Sequence, residues 1–217
     1  SSQEVFSEKV LNEETKKVHM SQLTELVQRD KNHPSVIMYS IANEANTHEK
    51  NALAYFKDIF AYTRTLTELP IMIVEWVDAE SNKVAQLADV IGLNRYIGWY
   101  VDLGDLETSK KKLIADLTSY YNKFEKPLIV TEFGTDTIAG LHSLPSTAFS
   151  EEYQLDFIKM YKEVFSTLDF VSGEHVWNFA DFMTKQGITR INGNKKGVFT
   201  RNRQPKMVAH FLRDSWK

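Results

Sequence analysis

An alternation constrains the fold more than any other feature of this chain. Five short apolar runs, at 36–44, 70–76, 90–96, 127–133 and 171–179, are separated by helical patterns. The runs are rich in β-formers and mostly do not alternate with polar residues, as in strands buried on both faces. Apolar stripes mark one helix before the first run, at Met20, Leu23 and Val27, and three between runs: Leu53, Phe56 and Phe60; Leu113, Leu117, Tyr120 and Phe124; Tyr153, Phe157, Tyr161, Val164 and Leu168. Ser150, followed by Glu151 and Glu152, reads as the start of the fourth helix. Val208, Phe211 and Leu212 predict a last helix after Pro205, and the stretch 80–89 has room only for a short one. Repeated β-α units predict a parallel sheet.

Two parallel architectures compete. A doubly wound sheet usually carries a glycine-rich phosphate turn, and neither GxGxxG nor GxxxxGK[ST] occurs here. A (β/α)8 TIM barrel fits better, because polar residues close several runs: Asn43-Glu44, Glu75, Asn94-Arg95-Tyr96, Glu132 and Asn178. Barrel active sites are built on that rim. A closed barrel needs eight strands, so the five runs read as about strands 4–8 of a partial barrel. The chain is therefore expected to be a portion of a longer protein that supplies the first strands.

Composition excludes several functions. The 217 residues contain no cysteine, which rules out disulfides, thiolate metal sites and thiol catalysis. The formal charge of −3 gives the whole molecule no pull toward nucleic acid or anionic lipid. No apolar run approaches the roughly 20 residues that span a bilayer. The first ten residues lack a signal-peptide shape, so a cytoplasmic location is expected. The six histidines show neither HExxH nor strand HxH spacing, so no metal and no cofactor are expected. His33 reads as part of the turn into the first run, and His142 as a neighbour of the site.

Glu44 and Glu132 each close an apolar run, on the strands expected as four and seven, across a barrel mouth. Two facing carboxyls are what glycoside hydrolysis requires, one to protonate the leaving oxygen and one to attack or stabilise the anomeric carbon. A single strand-terminal glutamate is more often a structural acceptor; two behind apolar strands reverse that balance. Glu75 is a third rim carboxylate, and spacing alone does not choose the pair.

The segment 185–206 carries seven Lys or Arg and no acid, which leaves the rest of the chain at about −10. Its glycines 187, 193 and 197 are expected to let it turn tightly. It reads as a solvated loop, a nucleic-acid contact or a site for a sugar carboxylate. The absence of interleaved stacking aromatics argues against the second. Tyr96, Trp99 and Tyr100 cluster after the third run and Trp177 lies on the last; such aromatics pack cores or face sugars.

Several stretches carry a resemblance: "HPSVIMYSIANEAN", "LNRYIGWYVDLGDLE", "PLIVTEFGTDTIAGLHS", "SEEYQ", "GEHVWNFADF" and "RINGNKKGVFTRNRQPK". In that order they resemble the β-glucuronidases of glycoside hydrolase family two, over nearly the whole chain. The resemblance implies that residues 1–217 are the C-terminal portion of the TIM-barrel catalytic domain. A sugar-binding-like domain, an immunoglobulin-like domain and the first strands would precede it. It assigns Glu44 as general acid/base and Glu132 as nucleophile of a retaining double displacement, and leaves Glu75 a structural role. The two carboxyls are then expected about 5–5.5 Å apart. It further implies that Asn43 meets the sugar 2-hydroxyl, that Tyr96, Tyr100 and Trp177 line the sugar pocket, and that Asn194 and Lys196 grip the C6 carboxylate, with Arg190 beside them. The partners implied are a small glucuronide, the N-terminal portion of the same protein and further copies of the chain. The chain departs from the pattern at Ala45, where the family often has proline; alanine would relax the loop after Glu44. Two other readings stay open: a related hydrolase of a neutral sugar, such as a β-galactosidase, and a truncated or inactive glycan-binding fragment.

Overall fold

The computed structural model describes residue 9, residues 11–188 and residues 190–217. The stretch behind the leader expectation, 1–8 and 10, lies outside the described residues. All five runs form strands: β1 (Tyr39–Asn43), β2 (Ile71–Glu75), β3 (Val90–Asn94), β4 (Leu128–Phe133) and β5 (Val171–Val176). The helices are α1 (Glu13–Asp30), α2 (Ala52–Leu66), α3 (Leu106–Phe124), α4 (Glu151–Ser166) and α5 (Met207–Ser215). A single 3-10 turn, Ala85–Leu87, occupies the short connection between β2 and β3. The strands are parallel and follow chain order, β1-β2-β3-β4-β5, in one open sheet. A doubly wound sheet reverses its strand order at a switch point. An order without reversal is that of a barrel wall, which decides between the two architectures.

Two compact units divide the chain within α3 and β4: Ser1–Asn94 with Asp116–Ile129, and Arg95–Ala115 with Val130–Lys217. In the first, β2 and β3 are buried along their whole length, as their unbroken apolar runs require. Ile41, Ala42, Ile71 and Ile73 pack against Phe56, Ile59 and Phe60 of α2. Asn12 caps α1, its Oδ1 accepting from the Thr15 amide at 3.0 Å. The second unit has an aromatic core. Phe133 stacks on Tyr161 at 5.1 Å and Tyr161 on Phe157 at 4.4 Å, while the Tyr161 hydroxyl donates to the Ile97 carbonyl at 2.9 Å. Ser150 caps α4 as expected, accepting from the Tyr153 amide at 3.1 Å.

Burial on both faces does not extend to every strand. β1 exposes Ser40 and Asn43, and every residue of β5 is half-buried or exposed. These are the end strands of the ladder, each with one neighbour. Among the described residues no helix is long and apolar enough to cross a membrane.

His19 on α1 makes the first unit sensitive to pH. Its Nε2 lies 2.8 Å from the Ile41 carbonyl and its Nδ1 3.2 Å from the Tyr55 hydroxyl. A carbonyl only accepts, so Nε2 carries the proton of the neutral ring and Nδ1 accepts from Tyr55. Burial depresses the His19 pKa, against the opposing effect of the Ile41 hydrogen bond. The unfolded chain, with a histidine pKa near 6.5, then binds the proton more tightly. This contribution is present above that pH and is lost as pH falls below it. The melting temperature should drop on acidification from pH 7 to pH 5, and less steeply in His19→Gln. Parallel slopes for the two proteins would refute the assignment.

Candidate active site

In the first unit, the end of β1 departs from regular strand geometry. Its register with β2 slips between Ser40 and Asn43. Glu44 follows with φ +53, while its amide still donates to the Val74 carbonyl at 2.9 Å. A bulge of this kind re-aims a side chain at a strand end. Non-glycine residues in the left-handed region concentrate at functional sites. Asn94, the last residue of β3, holds what the bulge presents: its amide nitrogen donates to Asn43 Oδ1 at 3.1 Å and to Glu44 Oε1 at 2.9 Å. Oε1 acts there as an acceptor, so a proton on this carboxyl belongs on Oε2. Asn43 is exposed and Glu44 half-buried.

Glu75, the third rim carboxylate, is built differently. It has no exposed surface and accepts from the Thr47 hydroxyl at 2.6 Å, which in turn accepts from Asn82 at 3.2 Å. A carboxylate enclosed in such a network anchors the loop after β1. Ala45 is also fully buried, among Ala42, Ala52 and Phe56, so packing restrains the loop that the loss of proline was expected to relax.

In the second unit, Glu132 is the penultimate residue of β4 and half-buried. The Tyr96 hydroxyl donates to its Oε2 at 2.7 Å. The Tyr96 ring lies 5.2 Å from that of Tyr100, edge to face. Two cations meet on the Tyr100 hydroxyl: Arg190 donates to it at 2.9 Å and Lys196 at 3.1 Å. Lys196 is fully buried, with its ammonium 4.9 Å from the centre of the Tyr100 ring and 5.3 Å from that of Trp99. Cation and aromatic face attract there. The ammonium also pairs with the buried carboxylate of Asp136, to which Arg190 comes within 3.4 Å. Burial works against the charge on Arg190, but the Tyr100 hydrogen bond and the Asp136 charge outweigh it and raise the guanidinium pKa.

Four of the expected residues, Tyr96, Tyr100, Arg190 and Lys196, thus form one connected chain with Glu132. Asn194 supports it: its Oδ1 accepts from the Lys196 amide at 2.9 Å. Trp177 follows β5 directly, its peptide with Asn178 is cis, and its ring lies edge-on to Phe182 at 6.2 Å. Among the described residues it takes no part in the hydrogen-bonded chain. His142 forms an exposed pair with Glu152 at 2.8 Å, and that hydrogen bond raises its pKa.

Three features of the site are not apparent from pattern reading. Asp136 lies within a quoted motif, yet its signal is indirect: a segment of seven cations without an acid needs a counter-ion from elsewhere. Lys206 belongs to that basic segment but faces inward. It is fully buried and donates to Asp181 at 2.9 Å, to the Lys195 carbonyl at 2.8 Å and to the Thr137 carbonyl at 3.0 Å. Desolvation lowers its pKa, against the pull of Asp181. It fastens the loop, so the charge offered to a ligand is smaller than the count suggests. Gly134 closes the Glu132 motif, and a Cβ there would collide with the Trp177 carbonyl oxygen. Of the three loop glycines, Gly193 adopts φ +96, Gly197 is held by close backbone neighbours and Gly187 meets neither constraint.

Comparison with known proteins adds a second line. The family described as "Glycosyl hydrolases family 2, TIM barrel domain" matches residues 1–217. A curated β-glucuronidase of Paenibacillus borealis is 53% identical over 213 residues, which cover 98% of this chain and 36% of the relative. A β-D-glucuronidase structure from Dictyoglomus thermophilum superposes with a TM-score of 0.93 at 54% identity, over 97% of this chain and 37% of that one. A Ruminococcus gnavus β-glucuronidase in complex with D-glucuronic acid gives 0.89 at 43% identity, over 94% and 36%. The chain therefore spans about a third of the length of the relatives it matches.

Proposed function

This chain belongs to the TIM barrel domain of glycosyl hydrolases family 2, and from that premise we propose that the protein of which it is part hydrolyses β-D-glucuronides with retention. Glu132 attacks the anomeric carbon as the bond to the aglycone oxygen breaks, and Glu44 gives its proton to that oxygen. Glu44, now ionised, then takes a proton from water, whose oxygen displaces Glu132 and releases glucuronate. Tyr96 holds Oε2 of the nucleophile, and Asn94 holds Oε1 of the acid. Asn43 meets the 2-hydroxyl, a contact that strengthens toward the transition state. Trp177 offers a face to the sugar ring. Asn194, with its amide oxygen engaged by the Lys196 amide, presents a donor nitrogen to a ligand oxygen.

One observation carries the choice of sugar. Lys196 and Arg190 converge on the Tyr100 hydroxyl, one aromatic contact away from the tyrosine that holds Glu132. Two cations so placed suit a carboxylate on the same ring that Glu132 attacks, and charge-assisted bonds are roughly twice as strong as neutral ones. The similarity to proteins named β-glucuronidase supports the same reading. The test is turnover of 4-nitrophenyl β-D-glucuronide against the β-D-galactoside by the intact protein. The expected kcat/KM ratio is at least about 10³, since sites built for a polar substrate group reject analogues lacking it. Equal rates would favour the neutral-sugar reading, and no turnover of either the inactive fragment.

A further inference from the structure

Asp136 has no place in the mechanism above, yet it is the most enclosed acid of the cluster. It is 2% exposed. Its Oδ2 takes the Lys196 ammonium and lies 3.4 Å from Arg190 Nη1, and its Oδ1 accepts from the Lys195 amide at 2.8 Å. A carboxylate beside two cations intended for a substrate carboxylate competes with that substrate, so its presence calls for an explanation. Charge counting supplies one. Two cations and one resident anion leave a single net positive charge, which matches a sugar with one carboxylate. The geometry supplies the rest. Lysine is a point charge on a flexible stem, and the Asp136 contact fixes where its ammonium stands.

We propose that Asp136 is a positioning and specificity-determining residue, which fixes the Lys196 ammonium and, together with Lys196 and Arg190, sets the charge of the subsite to receive one carboxylate. This deepens the glucuronide reading and rests on it. Removing the charge acts in two opposed ways. The substrate carboxylate loses a competitor, so binding is nearly maintained. The ammonium loses its anchor, so the sugar is held off the attack line, and a misplacement of about 1 Å costs on the order of 10²-fold.

The test measures kcat and KM separately on 4-nitrophenyl β-D-glucuronide with the intact protein. Asp136→Asn should lower kcat about 10²-fold while KM moves less than about threefold. Asp136→Glu, which keeps the charge, should recover roughly a tenth or more of the wild-type rate. In a Lys196→Gln background, adding Asp136→Asn should cost less than about threefold further, because Asp136 acts through Lys196. That double variant carries no unpaired buried charge, so it decides the matter where Asp136→Asn fails to fold. An unchanged kcat in Asp136→Asn overturns the proposal, as does a full second loss in the double variant. A wild-type protein without glucuronide turnover overturns the function itself, and this inference with it.

Discussion

Glu132→Gln should abolish turnover of an aryl glucuronide while leaving the fold intact. The substitution keeps the shape and an oxygen that the Tyr96 hydroxyl can still reach, now 2.7 Å from Oε2. It removes the negative charge that the proposed mechanism directs at the anomeric carbon. Losing a nucleophile typically costs on the order of 10⁴-fold or more in kcat. Circular dichroism and melting temperature should stay close to wild type, because Glu132 is half-buried at a strand end and outside the aromatic core. Near-normal turnover in a folded variant would remove Glu132 from the mechanism.

Lys196→Ala should damage both stability and selectivity. The ammonium is fully buried and its partner Asp136 nearly so. Breaking a buried pair by removing one member costs about 3–5 kcal/mol, and Arg190, 3.4 Å from Asp136, offsets part of that. For a domain of this size that corresponds to a fall of roughly 10 °C in melting temperature. Glucuronide kcat/KM should fall roughly 10- to 100-fold through the lost charge-assisted bond, whereas a neutral glycoside should be affected far less. Equal losses on both substrates would mean that Lys196 supports the fold without reading the carboxylate.

Much of this was legible in the chain. The five strands follow from apolar runs, of which those of β2 and β3 are marked most directly by their full burial, and the barrel winding from polar residues at the run ends. Ser150 announced α4 through local capping chemistry. Asp136 and Lys206 escaped for a physical reason. A buried ion pair is made between residues distant in the chain, and neither partner alters the periodicity around it. Asn94 was visible as a rim residue, but its grip on Glu44 depends on the slip at the end of β1, which no run of residue types encodes. Ala45, which seemed to leave a loop slack, is accounted for by the small, closed space it fills among Ala42, Ala52 and Phe56.

The Lys196–Asp136 pair also bears on how such a site changes over generations. A lineage moving from acidic toward neutral sugars gains by losing the lysine, but the first step takes the nearer cation from a buried carboxylate. Losing the aspartate first leaves two cations facing each other across a hydroxyl. Either single step passes through a weaker protein, and the two together still leave Arg190 in the pocket. The cluster is thus guarded by its own counter-ion, and the proposed preference for acidic sugars should persist through drift that reshapes the loops around it.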